Sequence, residues 1–148
     1  MPNWCENSLE VAGTKEDIKK FKSQANLEAF FESFIPKPSD IFLGDINQEA
    51  EKKYGDKNWY DWNIKNWGTK WDASEPELMK ETERMLIYNF LTAWSPPIEW
   101  LEKVTKLYPA LRFKLTYNEP GMAFHGRAKA YQGKLYDKLS MEDDPEAD

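Results

Sequence analysis

The sequence predicts an α+β domain, with an antiparallel sheet carrying two helices on one face. Three observations lead there. Strictly alternating segments occur near both ends of the chain, two amphipathic stretches of helical period separate them, and the connections are rich in Gly, Pro and Asn. At 148 residues the chain fits one domain plus a tail.

Each element follows from its local pattern. Asn3 to Val11 alternates, with Cys5, Asn7, Leu9 and Val11 on one face and Trp4, Glu6, Ser8 and Glu10 on the other. Ala12-Gly13 turns the chain. Thr14, with Asp17 three residues on, gives a capping-box pattern for a helix over Lys15 to Ala25, whose apolar face holds Ile18 and Phe21. Phe30, Phe31 and Phe34 form a second apolar cluster that ends at Pro36-Lys37-Pro38. Gln48 to Tyr54 suits a short polar helix. Trp59, Trp62, Asn63 and Asn66 recur at helical spacing, and Gly68 is a natural stop. Thr69 to Ala73 looks extended, and Ser74 to Glu81, with Pro76 and its acids, has the composition of a loop.

Glu83 to Trp94 alternates with both faces largely apolar, which predicts a central strand. Ser95-Pro96-Pro97 opens the second main helix, with Ser95 as cap and Ile98, Leu101, Val104, Thr105 and Tyr108 as its buried stripe. Leu111, Phe113, Leu115 and Tyr117 alternate as another strand. Met122 to Tyr131 and Lys134 to Lys138 can pair as a hairpin across Gln132-Gly133. Leaving out the helical insertion and the last ribbon, the order approaches β-α-β-β-α-β, the ferredoxin-like arrangement. The expected organisation is a single ferredoxin-like domain over residues 1–141, a Trp-rich helical insertion at about 36–82, and an acidic disordered tail over 142–148. The expected core comprises Leu9, Val11, Ile18, Phe21, Ile87, Leu91, Ile98, Leu101, Val104, Phe113 and Leu115.

Charge and composition exclude several classes. The net charge is −6, but the last seven residues hold five acids, so the body is near −1. With no basic excess, general affinity for a nucleic-acid backbone is disfavoured, and the body is not acidic enough for a DNA mimic. One cysteine, Cys5, rules out an internal disulfide and a Cys-based zinc site. The first residues show neither a basic region nor an apolar run, so no secretory signal is expected. No stretch approaches the ~20 apolar residues of a membrane span. A cytoplasmic setting without membrane contact is the expectation.

Between Asn58 and Asp72 stand four of the seven tryptophans, Trp59, Trp62, Trp67 and Trp71, interleaved with Asp, Asn, Thr and Lys. Indoles among hydrogen-bonding neighbours make either a polar structural plug over the sheet or a recognition surface. The plug reading suits Trp62, Trp67 and Trp94, and the recognition reading suits Trp59, Tyr60 and Trp71. The candidate ligand- or partner-binding set is Trp59, Tyr60, Asp61, Asn66, Lys70, Trp71, Trp94 and Glu119, expected to converge on one concave or edge surface.

The same motifs resemble a family. Met1-Pro2-Asn3-Trp4-Cys5-Glu6-Asn7, the block from Trp59 to Asp72, Thr92-Ala93-Trp94-Ser95-Pro96-Pro97, and Tyr117-Asn118-Glu119-Pro120-Gly121 with Phe124 are similar to the YubB-type ferredoxin-like domains of phages, prophages and conjugative plasmids. The resemblance runs from Met1 to about Tyr131. It implies the fold and a mobile-element origin within a bacterial host, and no catalytic residues. His125 departs from it, standing where the family pattern has a small residue.

Conventional catalytic sets are missing from the sequence. His125 is the only histidine, and a triad or a His-based metal site needs more partners. Cys5 fits a small buried thiol better than a nucleophile. Asp61, Asp72 and Glu119 could serve a hard cation, but capping and loop hydrogen bonds suit them as well. Gly133-Lys134 lacks the spacing of a phosphate loop. No cofactor or metal is expected. The function expected first is non-catalytic binding of a host protein, as a counter-defence inhibitor. Sequestering a nucleotide-like ligand is the alternative, and a metal-dependent nucleotide-processing enzyme using Asp61, Asp72 and Glu119 is the third.

Overall fold

The computed structural model describes residues 2–141, so the acidic tail expected over 142–148 lies outside the described residues. Strands β1 (Trp4–Ala12), β2 (Ser74–Glu81), β3 (Met85–Ala93), β4 (Arg112–Glu119), β5 (Phe124–Tyr131) and β6 (Lys134–Met141) form one sheet in the order β2-β3-β1-β4-β5-β6. Every neighbouring pair is antiparallel. The helices are α1 (Lys15–Gln24), α2 (Phe30–Phe34), α3 (Gln48–Tyr54), α4 (Trp59–Trp67) and α5 (Ile98–Leu107). The first four strands with α1 and α5 make the ferredoxin-like unit, in which each long helix joins two parallel strands separated by a third. The β5–β6 hairpin extends this sheet past β4.

Alternation built the strands as expected. Cys5, Asn7, Leu9 and Val11 are buried against the helices, as are Phe113, Leu115 and Tyr117 on β4. Thr14 caps α1: its hydroxyl accepts from the Asp17 N–H at 3.2 Å and donates to the Asp17 carboxylate at 3.0 Å. Gln132 and Gly133 both have positive φ, which matches the twist of a two-residue hairpin turn.

Four expectations need correction. Thr69 to Ala73, expected to be extended, forms bends through Asp72, and the strand begins at Ser74. The span 74–81 is the edge strand β2 rather than a loop, so the insertion ends near Ala73. Pro76 is tolerated because it falls in a break of the β2–β3 register between Ser74 and Glu77, where no ladder N–H is required. Ile87 and Leu91 are not core residues. They are half-buried on the opposite face of β3, while Leu86, Tyr88 and Phe90 are buried against the helices. Ser95 does not cap α5, which starts after Pro97 without a side-chain cap; its hydroxyl donates to the Gly68 carbonyl at 2.7 Å. Lastly, α5 buries Trp100 completely, beside Leu101, Val104 and Thr105.

Trp100 organises the core. Its ring packs against Phe30, Phe31 and Phe34 with centroids 4.9–5.8 Å apart, and its N–H donates to the Phe31 carbonyl at 3.1 Å. The short helix α2 thus fills the helical layer between α1 and α5, with Phe21 stacked on Phe34 at 4.5 Å.

Candidate functional site

The Trp-rich block is partly a structural joint. Asn58 caps α4 by accepting from the Asp61 N–H at 2.9 Å, and its amide donates to the Asp61 carboxylate at 2.8 Å. Trp67 is buried against Phe31 and donates to the Ile35 carbonyl at 2.9 Å. Lys37 lies 4.1 Å from the Trp67 ring centroid and 5.9 Å from that of Trp62. Gly68 ends α4 at φ 81°, a left-handed conformation that favours glycine, and the Glu99 carboxylate lies against the space a Cβ would take. Asn63, buried, donates to the Lys70 carbonyl at 2.8 Å and fixes the chain that leaves the helix.

Around this joint the structure gathers Trp59, Tyr60, Lys70 and Trp71, with Leu43, Asp45 and Ile46 of the preceding loop, about a concavity of about 510 Å³. The Trp59 N–H donates to the Gly44 carbonyl at 2.9 Å, which sets the ring and holds the loop. Trp59 and Tyr60 meet edge to face at 5.8 Å. The Lys70 ammonium stands 4.7 Å from the Trp71 ring centroid and 5.3 Å from that of Trp94. Trp71 in turn approaches Trp4 at 6.3 Å. Trp94 therefore joins the cluster through Lys70. It is 43% exposed and has φ 67°, an uncommon conformation for a bulky residue.

Three of the sequence candidates are spent elsewhere. Asp61 accepts from Asn58 and closes the capping arrangement of α4. The Asn66 amide donates back to the Trp62 carbonyl at 2.9 Å, within its own helix. Glu119 is wholly buried at the end of β4, where one oxygen accepts from the Gly121 N–H at 3.0 Å and Oε2 has no hydrogen-bond partner among the described residues. A Cβ at Gly121 would come within 2.7 Å of the Asn3 side chain and 2.9 Å of Glu119 Oε1, so both side chains would have to shift to admit one. A single surface carrying all eight candidates is thus not formed. Asn66 turns back to a carbonyl of its own helix, and Asp61, though exposed, answers the side chain of the capping Asn58.

The remaining candidate groups have structural partners. Asp72 accepts from the N–H groups of Phe31, Glu32 and Ala73 at 2.7, 3.1 and 2.7 Å, and so clamps the start of α2 to the approach to β2. Burial pushes its carboxyl above the ordinary carboxylate range, opposed by those N–H donors and by the Lys37 charge. Burial also pushes the Cys5 thiol up to about 12, against the lowering effect of its contact with Thr92. Asn7, also buried, donates to the Cys5 carbonyl at 3.1 Å and to the Thr92 hydroxyl at 2.9 Å. Tyr117 donates to Asp137 at 2.7 Å; burial and that carboxylate both raise its phenol. Among the described residues, no three His, Cys, Asp or Glu side chains gather as a metal would require. No helix among them is long and apolar enough to cross a membrane.

The family model for the ferredoxin-like domain in Api92-like protein matches residues 66–148, more than half of the chain. The chain belongs to that family. Its fold is also that of the crystal structure of protein Api92 from Yersinia pseudotuberculosis, with a TM-score of 0.66 over 95% of this chain and 98% of that one. Identity is 10%, so this likeness speaks for the fold alone. No curated protein matches the chain. The matched segment of this Api92-like domain begins at Asn66. It takes in Lys70, Trp71, Trp94 and Glu119, while Trp59 and Tyr60 precede it.

Proposed function

We propose that this Api92-like domain is a non-catalytic binding module whose aromatic cleft takes an apolar segment of a partner protein. The observation that carries the reading is the cleft itself. Leu43 is 69% exposed, Ile46 47% and Trp71 39%, all beside Trp59, Tyr60 and Lys70 around one concavity. Rigid aromatic walls and an apolar rim, with one cation in Lys70 and one carboxylate in Asp45, are the composition of a protein-binding hot spot. A nucleotide-like ligand is the second reading. It needs donors and acceptors aimed at a base edge, and Asp61, Asn66 and Glu119 are engaged elsewhere. The third reading, metal-dependent chemistry, would need Asp61, Asp72 and Glu119 to act together, whereas each answers its own local donors. The resemblance to YubB-type domains of mobile elements supports a bacterial host protein as the partner, with this domain acting as a counter-defence inhibitor.

The test compares wild type with Trp71→Ala and Leu43→Ala. The protein is recovered from a bacterial host, captured partners are quantified, and the affinity of the main partner is then measured with purified components. One partner should lose about tenfold or more in affinity for each variant, with stability unchanged within about 1 kcal/mol. Equal binding by all three proteins would overturn the reading. A small molecule released on denaturation in native mass spectrometry would transfer the cleft to the ligand reading.

A further inference from the structure

The face of the sheet turned away from the helices is divided by charge, and the ladder register produces that division. On β4 the outward residues are Arg112, Lys114, Thr116 and Asn118, alternating with buried Phe113, Leu115 and Tyr117. Arg127 stands opposite Thr116, and Lys129 opposite Lys114, on β5. On β6, Tyr136 stands opposite Lys129, and Lys134 opposite Tyr131. Behind them Ala128 and Ala130 are buried, small enough for α5 to pack closely on β5. Tyr136 is 70% exposed and Tyr131 44%. Arg112, Lys114, Lys129, Tyr131 and Tyr136, with Glu10, line a second concavity of about 270 Å³. Among the described residues Arg112, Lys114, Arg127 and Lys129 are in no ion pair.

On the other half of the same face Glu6, Glu75 and Glu77 stand around a concavity, and Lys80, opposite Ile87, is the cation that β2 adds to it. The charge sum of the body therefore conceals two opposite patches. Glu75 and Glu77 lie on β2, three strand spacings from β4, or about 14 Å. That exceeds the screening length of about 8 Å at physiological salt. Two acids of β1 adjoin the basic half: Glu10, opposite Lys114, and Glu6, opposite Asn118, whose amide donates to it at 3.4 Å.

We propose that the β4–β5–β6 half of the open face binds single-stranded nucleic acid. Phosphates lie along Arg112, Lys114, Arg127 and Lys129, and bases stack on Tyr131 and Tyr136. The two tyrosines are diagonal neighbours in the register, roughly 7–8 Å apart at the backbone. Stacking on exposed aromatics beside a basic track suits unpaired bases, whose faces are free, and not a duplex. A phosphorylated or acidic peptide would use the cations but leave both phenol faces idle. This surface is separate from the aromatic cleft, so the two proposals stand or fall independently.

Fluorescence anisotropy with a labelled oligothymidylate about ten nucleotides long tests it on the full chain. Saturable binding on the order of micromolar is expected at moderate salt. Four phosphate contacts give a log–log salt slope of about −3, or roughly a fifty-fold loss for a fourfold rise in salt. Lys129→Ala should reduce the slope by about 0.7. Tyr136→Ala, at a site too exposed to affect folding, should weaken binding about tenfold. Trp71→Ala and Glu75→Lys should leave binding unchanged, with circular dichroism confirming the fold of every variant. Several outcomes would overturn the proposal. One is no saturation below about 1 mM, and another is duplex bound as tightly as single strand. Equal affinity for heparin with Tyr136→Ala silent would indicate an indiscriminate polyanion patch. Salt-sensitive self-association without oligonucleotide binding would instead assign the two charged halves to a second copy of the chain.

Discussion

Asp72 offers a decisive perturbation, because it sits in the most distinctive block of the sequence and was eligible for a chemical role. Its carboxylate holds three backbone N–H groups, two of them from the first turn of α2. That turn carries Phe31, which is fully buried against Trp67 and Trp100. Asp72→Ala leaves those donors without an acceptor where water has little access. An unsatisfied buried group costs about 1–3 kcal/mol, and loss of a helix cap about 1. The carboxylate's own desolvation offsets part of this, as its raised titration range indicates. A net loss of about 2–4 kcal/mol is expected for Asp72→Ala. Asp72→Asn keeps one acceptor oxygen and should lose about half as much.

Urea denaturation followed by tryptophan fluorescence reads this directly, since the melting of α2 exposes Trp67 and Trp100. A loss below about 0.5 kcal/mol for Asp72→Ala would refute the clamp. The pH dependence provides an independent sign. A carboxyl whose folded pKa lies above its unfolded value of 3.8 binds its proton more tightly in the native state. Its contribution to stability therefore falls as pH rises from 3.8 through the folded pKa, and is recovered on acidification. Relative to Asp72→Asn, the wild type should gain stability as pH drops through that window. The opposite trend would mean that the N–H donors outweigh desolvation.

Three further outcomes are expected. Leu101→Ala should cost about 2–5 kcal/mol by chemical denaturation, because the residue is wholly buried under α5; a loss below about 1 would contradict the packing. Cys5, with its thiol pushed up to about 12, should resist a thiol-disulfide reagent at pH 8, with labelling governed by unfolding; rapid labelling of native protein would show the thiol accessible. Lys70→Ala and Asp61→Asn should each keep stability within about 1 kcal/mol, since Lys70 contacts two partly exposed indoles and Asn can still accept from Asn58; a loss of 2 kcal/mol or more, on the order of a buried unsatisfied group, would make them part of a plug.

The parts of this fold that were legible are those set by period. The alternation of β1 and β4 and the capping box of α1 each translate a spacing into an orientation, with no distant information needed. Trp100 was not legible, because the stripe drawn from Ile98 through Tyr108 assumes one packing partner. The phenylalanines of α2 lie alongside α5 and widen its buried arc to include position 100. Ile87 and Leu91 misled for the converse reason. Two apolar faces suggested burial on both sides, but β3 is central only within the sheet, flanked by β1 and β2, and its outer face is uncovered. β2 was hidden by Pro76, whose meaning depends on a register break that only the partner strand defines. In the candidate site, Trp59, Tyr60, Lys70 and Trp71 came together, while Asp61 and Asn66 turned to their own helix. Spacing predicts that such side chains share a face, but it does not tell whether they are already hydrogen-bonded there.

The open face carries this point furthest. Whole-chain charge argued against nucleic acid, and as a statement about long-range attraction the argument holds. Recognition acts over a Debye length, so the charge within about 8 Å of a bound strand matters more than the sum over the surface. The segment His125-Gly126-Arg127-Ala128-Lys129-Ala130-Tyr131 already carried the signal, since small residues alternate with basic and aromatic ones. A strand whose inner face is glycine and alanine packs a helix closely, and its outer face then displays every cation it has. Read by alternation rather than by sum, β4 and β5 bring Arg112, Lys114, Arg127 and Lys129 onto one surface, although a sum over the chain sets them against Glu75 and Glu77 on a distant strand.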